Sequence, residues 1–237
     1  MYRCVKVCTG VPLALVNMRT GEARNYPWTP GGASILSDLG TLTMEFSYLS
    51  DITGDPVYRC VHVCTQCTGV YRCREVKLIL LYTVREKVMR LLRTVRETRR
   101  PGRLYPHFLE PTSGQWRGEG TYSLGAFADS FYEYLLKEWL RSGGTDLQSW
   151  TMFSEAASAV LEELVHRTKG GLTYLAKVSG SSVSSSMEHL ACFAGGMFGL
   201  AGGDWISLGE NITRYSQLSY NLSHSTCQLS YNLSTVM

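Results

Sequence analysis

Asp129 and Glu133 are the first residues in this 237-residue chain whose type and spacing could do chemistry. Four residues apart on a helix, they share one face a turn apart. On an exposed helix such a pair repels by about 0.2–0.5 kcal/mol. In a cleft the repulsion grows and can lift one carboxyl into the range of a general acid or base. The plainer reading is an ordinary solvated acidic face. Glu45 flanks an apolar stripe instead of opposing it, so it either reaches a cleft or stands exposed on its helix. His189 adjoins an apolar run and is either a working group or a satisfied core histidine.

Two further constellations compete with the carboxylates. Cys60, Cys64, Cys67 and Cys73, with His62 among them, have three, two and five intervening residues. Structural zinc sites tolerate such pairs, although the loop between the pairs would be very short. A non-catalytic, Cys-rich metal-binding protein is therefore the rival reading. Arg85, Lys87, Arg90, Arg93, Arg96, Arg99, Arg100 and Arg103 face only Glu86 and Glu97 in opposition. They occupy the outward face of a helix whose apolar stripe is Val84, Val88, Leu91, Leu92 and Val95. No aromatics interleave with them, which speaks against nucleic acid.

The elements that must position these groups are helical. Ile35, Leu39, Leu42, Phe46 and Leu49 recur at helical spacing, with a stop at Thr53-Gly54-Asp55-Pro56. Leu124, Ala128, Phe131, Leu135 and Trp139 mark a further helix, closed by Ser142-Gly143-Gly144. Phe153, Ala157, Val160, Leu161 and Leu164 mark the next, with Asp146 as N-cap and Gly170-Gly171 as its end. Residues 189–200 suit another helix, and residues 172–178 a short strand. The fold class is mainly α. Loops rich in Pro, Gly and aromatics (25–32 and 111–116) precede helices, an arrangement that suits stacking on sugar rings or the packing of helix ends.

Repeats expose seams in this pattern. Residues 2–11 are echoed at 58–65, and Tyr-Arg-Cys returns at 71–73. Residues 217–223 recur unchanged at 228–234. Neither repeat carries a helical stripe or sustained alternation. The expected organisation is a low-complexity start over 1–9, a folded region over 10–213 interrupted by a Cys-rich insertion at 60–85, and a divergent, disordered tail over 214–237. The insertion and tail read as mis-assigned coding sequence, which sequencing the mature transcript would test.

Apolar residues make up 44% of the chain, charged residues 18%, and the net charge is +3. That balance excludes a disordered chain and argues against a strongly basic nucleic-acid binder. The longest apolar run, 78–84, falls far short of the roughly 20 residues that span a bilayer. No secretory signal is readable at the N-terminus. Asn211, Asn221 and Asn232 each begin an Asn-x-Ser/Thr sequon, compatible with a secretory lumen.

Several segments, taken in order, resemble glycosyl hydrolase family 47, the class I α-1,2-mannosidases. They are residues 15–25, Gly31-Gly32-Ala33-Ser34-Ile35-Leu36, Gly40-Thr41-Leu42-Thr43-Met44-Glu45-Phe46, Leu104-Tyr105-Pro106, Ser113-Gly114-Gln115-Trp116, Ala128-Asp129-Ser130-Phe131-Tyr132-Glu133-Tyr134, Gly171-Leu172-Thr173-Tyr174 and His189-Leu190-Ala191-Cys192-Phe193. The resemblance covers about residues 10–59 and 86–213. It implies an (α/α)7 barrel, here partial with short strand elements, and a calcium ion at the base of a cleft. It also implies inverting hydrolysis of α-1,2-linked mannose on high-mannose N-glycans. Such inversion needs a carboxylic acid at the leaving oxygen and a carboxylate activating water opposite, ~6.5–9.5 Å apart.

Carried over by position, Asp129 is the catalytic candidate, as general acid, general base or electrostatic partner. Glu45, Phe127, Glu133 and His189 match residues that line the sugar site. Phe127 stands where endoplasmic-reticulum members carry arginine and Golgi-type members a smaller apolar residue, so the chain resembles the Golgi-type subgroup. Cys192 matches a cysteine whose disulfide partner has no counterpart here, which leaves it unpaired. The first catalytic glutamate, the Arg-Pro-Glu motif and the calcium-binding threonine also lack counterparts. The resemblance thus implies a parent enzyme in the Golgi or endoplasmic reticulum, anchored by a segment outside this chain, and an inactive fragment.

Overall fold

The computed structural model describes residues 11, 13–54, 104–117 and 120–223. The Cys60–Cys73 cluster and the basic run Arg85–Arg103 lie outside the described residues. The chain divides into two units, one running to Val165 and resuming over Leu175–Ala191, the other comprising His166–Tyr174 and the chain from Cys192.

In the first unit, a hairpin of β1 (Leu15–Val16) and β2 (Ala23–Arg24) leads into β3 (Ser34–Ile35) and helix α1 (Leu36–Thr53). β3 pairs antiparallel with β4 (Phe108–Leu109), which pairs with β5 (Trp116–Arg117). The chain continues through β6 (Thr121–Tyr122) into α2 (Asp129–Arg141) and α3 (Leu147–Glu163). Gly54, in the left-handed conformation at φ 65°, ends α1 as the sequence expects. The Asp146 side chain caps α3 by accepting from the Ser149 amide, also as expected.

Three contacts fix how α1 and α2 pair. Asp38 lies close enough to Asp129 to feel its charge, Tyr134 donates to Glu45 at 2.5 Å, and Arg141 lies 3.8 Å from Asp51. The residues ascend together along both helices, so α1 and α2 run parallel. Gly40 lets them approach, because a Cβ there would enter the Phe131 ring. Phe131, Leu135 and Leu136 of α2 are buried with Leu36 and Leu39 of α1. The turn over 142–146 is short enough to set α3 against α2, with Trp139 and Trp150 ring centroids 4.4 Å apart. The first unit closes with β9 (Val178–Ser179), which pairs with β6 and with β10 (Ser182–Val183).

The second unit holds most of a hairpin formed by β7 (Val165–Arg167) and β8 (Thr173–Leu175), then α4 (Phe193–Ala201) and α5 (Ile206–Ser223). α4 and α5 meet through glycines: a Cβ on Gly209 would lie 2.7 Å from the Gly195 carbonyl oxygen and 2.8 Å from the Gly199 nitrogen.

Five expectations shift in the structure. The helix expected from Leu124 begins at Asp129, because Phe127 has φ 78° and Ala128 is not helical. α3 ends at Glu163 instead of Gly170-Gly171, since the chain leaves it as β7 and turns over Thr168–Gly171. The strand expected over 172–178 is interrupted, β8 and β9 being separate. His189 stands in a 3-10 turn (His189–Cys192) that precedes α4. α5 runs on to Ser223, past the expected seam at 213/214. Among the described residues no helix is long and apolar enough to cross a membrane.

Candidate active site

The parallel start of α1 and α2 brings two carboxylates together. Asp129 is the first residue of α2 and is half-buried, and its Oδ1 accepts from the Ser130 amide at 2.7 Å. The helix N-terminus favours negative charge there. Asp38, in the first turn of α1, has its Oδ2 buried without a hydrogen-bond partner. Burial, and then the charge of Asp129, push its carboxyl above the usual carboxylate range. A buried orphan acceptor costs free energy unless a ligand or a proton satisfies it. The sequence reading missed Asp38. The available signal was its place seven residues before Glu45, two helical turns away on the same face.

Glu45, exposed, lies two turns further along α1, where it accepts from the Tyr134 hydroxyl at 2.5 Å. Tyr134 is five residues beyond Asp129, about 7.5 Å along the helix axis. The bond to Glu45, with burial and the charges of Glu45 and Glu133, pushes the Tyr134 phenol up to about 12. Glu133 is held by Lys137 one turn on, at 2.7 Å, in a partly solvated pair. That pair is the feature of an outward helix face.

Phe127 occupies the turn before Asp129. It is the one non-glycine residue with positive φ among the described residues, at 78°. For a bulky side chain this conformation costs on the order of 1–3 kcal/mol and persists only where surrounding contacts impose it. Its carbonyl accepts from the Ser37 amide at 2.9 Å, which ties the turn to the start of α1. Its ring lies 5.7 Å from Trp28, 5.4 Å from Phe108 and 6.0 Å from His107, centroid to centroid. Tyr26 stacks on Trp28 at 5.2 Å, and Trp28 is 57% exposed. An exposed aromatic surface beside carboxylates is what a sugar ring needs: flat apolar faces for stacking and acceptors for its hydroxyls.

His107 supports this cluster from within. It is buried, its Nε2 lies 3.3 Å from the Ser123 hydroxyl, and its pKa is lowered to about 4 by burial and then by the Lys177 charge, with Glu188 opposing. It is therefore neutral at physiological pH and serves packing. His189 is exposed and follows Glu188, whose carboxylate accepts from the Ala126 amide at 2.9 Å. The turn that leads to Asp129 and the segment that carries His189 are thus joined. Cys192 is a half-buried free cysteine. Among the described residues no group of three or more His, Cys, Asp or Glu side chains could hold a metal ion.

The sequence model of glycosyl hydrolase family 47 matches residues 1–66 and 81–234, so its break falls within the Cys-rich segment. The chain is 42% identical over 223 residues to mannosyl-oligosaccharide alpha-1,2-mannosidase IA of Drosophila melanogaster, covering 94% of this chain and 29% of that protein. It is 37% identical over 221 residues to mannosyl-oligosaccharide 1,2-alpha-mannosidase IB of Homo sapiens, covering 90% of this chain and 30% of that protein. The chain thus spans about three tenths of the length of these curated relatives. Its structure is similar to an alpha-1,2-mannosidase from Trichoderma reesei, with a TM-score of 0.69 and 23% identity over 92% of this chain and 41% of that one. The likeness shows the fold: a partial (α/α)7 barrel, to which the parallel α1 and α2 conform.

Proposed function

This chain belongs to glycosyl hydrolase family 47, and from that premise we propose that it forms part of an inverting α-1,2-mannosidase acting on high-mannose N-glycans. The observation that supports this best is the half-buried Asp129 beside the orphaned Asp38 carboxylate, flanked by the Phe127–Trp28 aromatic surface. In this reading Asp129 is the chain's catalytic carboxylate, as acid to the leaving oxygen, as base to water, or as electrostatic partner to the developing charge. Asp38, with a free acceptor, takes a sugar hydroxyl. Glu45, His189 and the Phe127 ring line the site, whereas Glu133, paired with Lys137, faces outward. A phenylalanine at 127 in place of arginine supplies no guanidinium to select a glycan branch, which favours the Golgi-type, broadly trimming class. The working enzyme would then act in the lumen of the Golgi or endoplasmic reticulum.

Family membership fits a family-level dependence on calcium. One of the three acidic residues that the family places around the calcium is matched here, so the purified chain alone is expected to release no mannose. Release of mannose from α-1,2-mannobiose by the chain would overturn that expectation. The reading itself is tested by replacing the matching segment of the Drosophila relative with this chain. The chimaera should release mannose and lose at least about a hundredfold in rate with Asp129→Asn. A chimaera whose rate is indifferent to Asp129→Asn would sink the assignment.

A further inference from the structure

The turn over Gly125, Ala126 and Phe127 is built backwards for a helix start, and its contacts show what holds it. The Gly125 carbonyl accepts from the Ala128 and Asp129 amides at 3.3 and 3.0 Å, and the Phe127 carbonyl accepts from Ser37 at 2.9 Å. The Gly125 amide donates to the Ser123 hydroxyl at 3.2 Å. The Ala126 amide, central to the turn, donates instead to the Glu188 carboxylate at 2.9 Å, across 62 residues of chain. The same carboxylate rests on Gly125 so closely that a Cβ there would overlap it. Its other oxygen lies 3.3 Å from Lys177 Nζ.

These contacts divide the work. The Lys177 pair is substantially solvated and contributes little by itself. The bond from a backbone amide to a carboxylate is charge-assisted and directional, and the missing side chain at 125 leaves room for it. The bonds of Gly125 and of the Phe127 carbonyl stay within the loop or reach the start of α1, so Glu188 supplies the long-range side-chain bond to the central amide. We propose that Glu188 is the positioning residue of the Gly125–Phe127 turn. By receiving the Ala126 amide it holds Phe127 in its left-handed conformation and sets the Phe127 ring against Trp28. The importance of that ring for specificity rests on the sugar-site reading above, whereas the clamp rests on the contacts themselves.

The test uses the full chain in four further forms: E188Q, E188A, G125A and the G125A/E188A double variant. The readouts are hydrogen exchange at the Ala126 amide and the near-ultraviolet circular dichroism of the aromatic cluster. E188Q keeps an acceptor oxygen at the same reach, so exchange should stay within about threefold of the parent. E188A should speed Ala126 exchange by about tenfold or more and change the aromatic signal. G125A should do the same in the parent chain and disturb the E188A background less, where the colliding carboxylate is gone although the residue-188 Cβ, 2.8 Å from the added one, remains. Exchange and aromatic signal unchanged in E188A would overturn the proposal, as would G125A disrupting both backgrounds equally. Should E188A fail to fold, the contrast of E188Q with G125A still decides, because a clamp predicts opposite outcomes for them. Titration with α-1,2-mannobiose separates the clamp from the reading beneath it. A sugar that leaves the parent's Trp28 and Phe127 signals unmoved sinks the sugar-facing role, while Ala126 exchange continues to report the clamp.

Discussion

The α1–α2 pair and the α4–α5 pair are both brought close by glycine, at Gly40 in the first and at Gly195 and Gly209 in the second. In the α4–α5 pair the closeness serves packing. Ala194, Met197 and Phe198 are buried in α4, Leu208 and Ile212 in α5, and the Thr213 and Ser216 hydroxyls bond back to their own helix at 2.8 and 2.9 Å. Glycine within a helix costs roughly 1 kcal/mol relative to alanine, and here the closer packing offsets it. The α1–α2 pair spends the same closeness differently. It holds a buried orphan acceptor on Asp38 and, just before α2, a phenylalanine at positive φ. Local rules broken at one place and kept at another are what a functional or strained site shows.

The largest expected effect strikes the packing that tolerates this. Phe131 is fully buried, edge-on to Tyr105 at 5.0 Å. Phe131→Ala should cost about 3–5 kcal/mol in chemical denaturation and loosen the α1–α2 pair. A loss below about 1 kcal/mol would mean that the ring is not the keystone of the pair.

Acid should separate the two pairs next. The folded pKa of His107 is depressed from 6.5 to about 4, so the unfolded chain binds the proton more readily between those values. Stability from neutral His107 is therefore complete above about pH 6.5 and lost as pH falls through 4, by about 3 kcal/mol in all. Hydrogen exchange around α1–α2 should accelerate over that window, and His107→Gln should remove the dependence. Equal acceleration in α4–α5 would erase the contrast.

Gly209→Ala tests the second pair. Its Cβ would press on backbone atoms of α4, which cannot rotate away, so a loss of roughly 1–3 kcal/mol in α4–α5 protection is expected. The smallest effect sharpens the first pair. Asp38 has a raised folded pKa, so its charge destabilises the fold above that pKa and not below the unfolded one. Asp38→Asn should therefore stabilise the chain slightly at neutral pH and not in strong acid, as thermal melts would show. A stability loss at neutral pH would mean that the carboxylate has a partner in the folded chain.

How much of this was legible depends on what a pattern reports. The α1 helix, its stop at Gly54, the Asp146 cap and the stop at Ser142–Gly144 rest on local chemistry, and the structure keeps them. The premature start at Leu124 has a physical cause. Leu124 is 1% exposed, and a buried loop residue at helical spacing cannot be told from a helix stripe. Asp38 escaped notice because a lone acidic residue in a first turn looks like ordinary dipole compensation. Glu188 escaped it because nothing local marks a residue whose partner is a peptide 62 positions away.

The sequence by itself determined the helical class and the family, and put Asp129 forward as a candidate, since side-chain period, caps and ordered motifs are written along the chain. Only the tertiary structure decided that α1 and α2 run parallel, that Asp38 faces Asp129, and that Phe127 is turned by Glu188. Each of those depends on groups brought together across long loops, where proximity sets the electrostatics and the backbone conformation and no local pattern records it.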